Sequence, residues 1–193
     1  MGLGLIFTAL LPILGLVFRP KLLPLISVFG LSGGVLAAIL CAGLCYVGSM
    51  SLISTPSVSL EGKNFWILRS MPVSSKTILL GKLRLHLLCC VPLNVLSGLV
   101  LALTYGCGPI NALLASLIPG LFGVLSGVLG LVFGLKWARF DYISEAYPCK
   151  QSGSVAAAMF SLWGLVLALG GGYFPLSPLL SPTGYLALCA GIL

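Results

Sequence analysis

The sequence predicts an all-α fold, a polytopic transmembrane helical bundle, and two observations carry that reading. Apolar residues make up 59% of the 193-residue chain and charged residues only 7%, against about 25% charged in soluble domains; mean hydropathy is +1.19. The apolar residues also gather in runs long enough to cross the hydrocarbon core, which takes about 20 helical residues. In water those runs would lie exposed, whereas in lipid a helix satisfies its own backbone hydrogen bonds and faces an apolar solvent. The pattern divides into five spans plus an incomplete sixth, with a short amphipathic helix on the cytoplasmic side. Residues 1–193 form a single transmembrane domain, with no room for a soluble catalytic domain between spans.

The first span is read at about 1–18, closed by Arg19-Pro20-Lys21. The second, at 22–53, is too long for one upright helix at ~1.5 Å per residue, so it tilts, bends near Gly33-Gly34 or runs past the membrane surface. A polar stretch follows as far as Arg84. The third span covers 85–105, the Gly106-Cys107-Gly108-Pro109 sequence makes a tight turn, and the fourth covers 110–135. Residues 136–154 are polar again and 155–174 form the fifth span. Pro175, Pro178 and Pro182 punctuate the exit loop before a partial segment at 183–193. That last segment is too short to cross as a helix, which takes roughly 17 residues. The expectation is a fragment or a reduced version of something longer; a re-entrant or surface-lying segment is the competing reading.

Lys and Arg set the orientation. Lys63, Arg69, Lys76, Lys82 and Arg84 lie between spans two and three, and Lys136, Arg139 and Lys150 between spans four and five. Alternating spans put both groups on one side, which is then cytoplasmic, while Arg19 and Lys21 fall opposite. The expected location is the cell (plasma) membrane, multi-pass. The net charge of +7 follows from basic loops meeting anionic headgroups. A nucleic-acid partner would want a folded basic face with stacking aromatics, so none is expected.

Catalytic residues are scarce. The chain has one histidine and three acids, Glu61, Asp141 and Glu145, and no HExxH, Walker A or GxSxG pattern. His86, beside Arg84 where the third span enters the membrane, reads as an interfacial anchor. Of the seven cysteines, most lie in apolar runs, where Cys behaves as a small hydrophobe, and no CxxC spacing occurs. No catalytic residue, bound metal or cofactor is expected.

Two features carry more information. On the fourth span Ser116, Gly120, Gly123, Gly127, Gly130 and Gly134 share one face, with two GxxxG units in register, so a neighbouring helix can approach closely. Intramolecular packing, a dimer seam or a translocation wall would each use such a face. In the loop after span two, Ser59 can cap a short helix with Glu61 in its first turn. Leu60, Ile67, Leu68 and Met71 then share one side with Phe65 and Trp66 beside them, Pro72 ends the helix, and Ser74 caps the next. From the residues alone this reads as an interfacial helix anchored by Trp66.

Residues Ser59-Leu60-Glu61-Gly62-Lys63-Asn64-Phe65-Trp66-Ile67-Leu68-Arg69-Ser70-Met71-Pro72-Val73-Ser74 resemble a stretch of ABC-2-type permeases and ABC exporters. There an EGK-x-FW-x-x-[KR]-S-x-P pattern follows the second span of a six-span unit. Arg139-Phe140-Asp141-Tyr142-Ile143-Ser144-Glu145, followed by Lys150-Gln151-Ser152-Gly153-Ser154, resembles the later loop of the same family. The resemblance covers most of residues 40–165. It implies a transmembrane subunit driven by a separate cytoplasmic ABC ATPase, which binds the ATP. It also implies a second permease half or a homodimer within the lipid bilayer. The loop helix would be the coupling helix, with Glu61, Lys63 and Arg69 as polar contacts to the ATPase and Phe65, Trp66 and Met71 on its apolar side. Asp141 and Glu145, with Lys150 in the same loop, would form a second cytoplasmic contact, or the two acids would pair with nearby Lys136 and Arg139. The chain departs from the family in offering five spans and a stump, with very short outer loops. A truncated or accessory membrane protein that binds an ATPase or permease without transporting is the alternative function.

Overall fold

The computed structural model describes residues 2–64, 70, 72, 74–138 and 152–193. It is all-helical among those residues, with α1 Gly2–Val28, α2 Gly33–Gly48, a 3₁₀ turn Ser59–Asn64, α3 Ser75–Thr104, α4 Pro109–Lys136, α5 Gly153–Gly171, α6 Tyr173–Leu176 and α7 Pro182–Ile192. Four helices, α1, α3, α4 and α5, are long and apolar enough to cross a membrane. The chain is therefore a helical membrane protein. The shorter apolar helices α2 and α7 pack among them.

The first two boundaries differ from those expected. Helix α1 does not stop at residue 18 but continues through Pro12, Pro20 and Pro24 to Val28. Proline punctuates a helix in water, whereas a membrane helix re-satisfies the freed carbonyls with local hydroxyls and adjusted turns. Here Pro12 frees the Thr8 carbonyl, and Ser97 Oγ of α3 donates to it at 2.9 Å. Arg19 and Lys21 thus lie within α1 rather than in a loop, and Lys21 Nζ sits 6.0 Å from the centre of the Phe18 ring. The break comes at 29–32, where Gly30 takes φ +58°, a left-handed conformation that glycine adopts without penalty. Ser32 then caps α2 by accepting from Val35 N at 3.5 Å. The apolar run read as 22–53 is consequently divided between the end of α1, the 16 residues of α2 and an irregular segment after Gly48.

The later elements follow local sequence closely. Ser74 caps α3 by accepting from Thr77 N at 3.3 Å, and the helix runs 30 residues, which adds the basic stretch 75–84 to the third span. Gly106 and Gly108, at φ +65° and +88°, turn the chain, and Pro109 opens α4, where its missing N–H costs nothing. Ser152 caps α5, accepting from Ser154 N at 3.2 Å, and Ser181 caps α7, accepting from Gly184 N at 3.2 Å.

Helix α4 forms the centre. Of its most apolar stretch 56% is buried inside the protein, against 33% for α3, 17% for α5 and 6% for α1. Helices α2, α3, α5 and α7 surround it, and α1 lies outside on α3 and α2. The exposed residues of α1, among them Ile6, Phe7, Ile13 and Val17, make its outer face apolar, as a lipid-facing helix requires.

Candidate functional site

The five glycines of α4 all face protein. A Cβ on Gly120 would lie 2.7 Å from Val95 Cγ2, on Gly123 3.0 Å from Asn94 Nδ2, and on Gly127 2.6 Å from His86 Cδ2. Further along, a Cβ on Gly130 would lie 2.6 Å from both Ser54 Oγ and Thr55 Oγ1, and one on Gly134 would strike the Thr55 carbonyl. The upper part of this face is filled by α3 and the lower part by the segment that follows α2.

The side of α3 that fills it is polar. His86, Cys90, Asn94 and Ser97 recur at spacings of four, four and three, and all are buried. Asn94 Nδ2 donates to Pro119 O at 3.1 Å, a proline-interrupted stretch of α4, and Ser97 Oγ donates to Thr8 O of α1 at 2.9 Å. His86, expected at the interface, is instead wholly inside, with no solvent-accessible surface. Its Nε2 lies 3.2 Å from Gly123 O and 3.2 Å from Ser126 Oγ, and its Nδ1 lies 3.8 Å from Cys90 Sγ. Those neighbours suit an Nε2–H tautomer donating to the carbonyl. Fully buried and in contact with Gly123 O and Ser126 Oγ of α4, His86 ties α3 to α4.

Residues 49–58 complete the seam. Most of this irregular segment is buried, with Ser49, Ser54 and Thr55 fully so and Ser51 and Leu52 nearly so. Non-helical chain is tolerated at membrane depth only where protein or a cavity surrounds it, and here α3 and α4 do so. Ser54 Oγ donates to Gly127 O at 2.9 Å, and Cys90 Sγ to Ser51 O at 3.6 Å. Ser51 Oγ and Thr55 Oγ1 have no hydrogen-bond partner among the described residues.

The seam connects directly to the basic loop. The 3₁₀ turn carries Glu61, whose carboxylate is ion-paired with Lys82 near the start of α3. The same ammonium donates to Ser57 O at 2.6 Å. One lysine therefore fastens both the end of the irregular segment and the start of the 59–71 stretch to α3. Lys63 follows in the 3₁₀ turn. Phe65, Trp66, Arg69 and Met71, and in the later loop Asp141, Glu145 and Lys150, lie outside the described residues. Lys136, at the end of α4, has its ammonium 5.4 Å from the Trp137 ring centre.

The periodic polar face of α3 is the feature that sequence reading missed. Its 4-4-3 spacing is the same signal that singled out the α4 glycines. No group of three or more His, Cys, Asp or Glu that could hold a metal ion occurs among the described residues. Comparison with protein-family models, with curated proteins and with solved structures finds no match for this chain.

Proposed function

We propose that this chain is the membrane-spanning permease subunit of an ABC-2-type exporter in the plasma membrane, driven by a separate cytoplasmic ATPase that binds the ATP. In this reading α1, α3, α4 and α5 cross the membrane, and α2 crosses together with the buried segment 49–58. That arrangement makes five spans, with α7 as a partial sixth. A second permease half or a second copy completes the pathway.

The observation that carries the reading is the Lys82 clamp. The loop resembling a coupling helix begins at a point fixed to α3 by the Glu61–Lys82 pair and the Lys82–Ser57 hydrogen bond. The chain immediately before it is the irregular seam against the α4 glycines. A push at residues 65–71 is thus delivered to the interface between α3 and α4 and is not lost in a slack tether. Glu61 holds the loop, and Phe65, Trp66 and Arg69 are left to make the contact with the ATPase. Aromatic and arginine anchors commonly dominate such interfaces.

The test is co-purification from native membranes in mild detergent, comparing the intact chain with a Phe65→Ala, Trp66→Ala variant. An ATPase that accompanies the first and is lost from the second supports the assignment. Absence of an ATPase from both would remove it.

A further inference from the structure

A cavity of about 300 Å³ lies between α2, α4, α5 and α7, at the end of the bundle away from the two basic loops. Its floor is Phe122 and its walls include Cys41, Cys45 and Cys189, all buried. The lining is carbon and sulfur except for the hydroxyls of Tyr173 and Tyr185 at one end. Tyr185 donates its hydroxyl to Leu169 O, and the two rings meet edge to face at 5.3 Å. An engineered apolar cavity of about 150 Å³ in another protein stays dry and takes up benzene. A cavity twice that size, with almost wholly apolar walls, is likewise a site for hydrocarbon and not for water.

Shape and position select the hydrocarbon. Along α2 the lining runs from Val35 to Cys45, ten residues, or about 15 Å of helix at 1.5 Å each. The slot is therefore long and narrow. Its mouth includes Ile39 and Gly170, both exposed, beside Leu167 at 73% exposure, so it opens onto the lipid-facing surface of α5. The tyrosines stand at the end of α5, where amphipathic rings sit at headgroup level. We propose that this slot binds one acyl chain of a bilayer lipid, with the chain along α2 and the headgroup at Tyr173. If the basic loops are cytoplasmic, the bound lipid belongs to the outer leaflet. The inference does not depend on the transport reading.

The experiment uses the full chain in phosphatidylcholine nanodiscs containing phosphatidylcholine with a diazirine midway along one acyl chain. After photolysis, adducts are mapped by mass spectrometry. The expected adducts concentrate on peptides holding Cys41, Cys45 and Cys189. A Cβ on Gly170 would meet nothing within 4 Å, so Gly170→Leu puts a branched side chain into the mouth without a backbone clash. It should cut slot labelling about tenfold, as losing one or two buried methylenes implies. Ala42→Phe fills the slot from the opposite wall and gives the same result if either variant alone folds poorly. Gly164→Leu, on α5 but outside the slot, should leave the labelling unchanged. Labelling spread evenly over the outer face of α1, or insensitive to both Gly170→Leu and Ala42→Phe, would overturn the proposal. So would chain-to-chain adducts through the slot, which would make a second copy the occupant.

Discussion

Replacing Gly127 with alanine tests the seam where α4 meets His86. The new Cβ would lie 2.6 Å from His86 Cδ2 and 3.1 Å from Leu83 Cδ1, where carbon atoms rest at about 3.5–4.0 Å. The imidazole must therefore retreat by about 1 Å, or α3 and α4 must part by as much. Neither is easy, because His86 is wholly buried and tied to Gly123 O and Ser126 Oγ. Overpacking of this kind costs about 1–3 kcal/mol. Losing two interhelical hydrogen bonds in lipid adds about 0.6 kcal/mol each. The expected loss is roughly 2–4 kcal/mol, read as a shift of the unfolding midpoint in mixed-micelle SDS titration. Gly164→Ala is the control, since its Cβ meets nothing within 4 Å. It should be neutral, or up to about 1 kcal/mol more stable through helix propensity. Equal stability for Gly127→Ala and the wild type would refute the close approach of α3 and α4.

His86→Ala removes a buried ring together with its links to α4, and should destabilise by about 2–3 kcal/mol in the same titration; an unchanged midpoint would return His86 to the interface. Lys82→Met should alter stability by less than about 1 kcal/mol, because a partly exposed ion pair contributes little. It should nevertheless speed hydrogen exchange in residues 57–64, and unchanged exchange there would show that the clamp does not hold the loop. Burial pushes the Cys107 thiol, in the turn between α3 and α4, above its ordinary value. Its alkylation rate, followed by mass spectrometry, should still be rising past pH ~9 because the thiolate is the reactive form; a plateau near pH ~8.5, the value for an ordinary thiol, would contradict that burial. In a chain without native cysteines, Ser75→Cys and Ile110→Cys, at opposite ends of the α3–α4 pair, should react with a membrane-impermeant maleimide from opposite faces. Reaction of both from one face would exclude the arrangement.

The membrane class and the α4 face were legible because each rests on a period that lipid and close packing impose directly. Apolar runs of membrane length have few alternative folds, and small residues at spacings of three and four place one helix against another whichever helix that proves to be. Serine caps at Ser74 and the glycine turn at 106–108 were legible for local reasons. The break between α1 and α2 was not. Arg19-Pro20-Lys21 has the punctuation of a soluble loop, and only tertiary and lipid context allows a helix to pass through it. The α3 face escaped notice because His86 was read alone as an anchor and the cysteines as small hydrophobes, while Asn94 and Ser97 were passed over inside an apolar run. Taken as a periodic set, they form the polar side of a helix whose partner is the glycine face. Glu61 shows the same effect at the loop: a residue read as an outward contact finds its charge partner, Lys82, within the chain.

The central functional claim is that residues 65–71 dock on an ATP-binding protein, and a photo-crosslinker in place of Trp66 tests it most directly. The full chain carrying benzoylphenylalanine at that position is irradiated in native membranes, and the adduct is probed with a photoreactive ATP analogue. The expected result is one predominant adduct that binds the nucleotide and disappears when Arg69 is also replaced by alanine. Adducts only to lipid, or to proteins that bind no nucleotide, would contradict the claim and leave a helical membrane protein with no ATPase at its basic face.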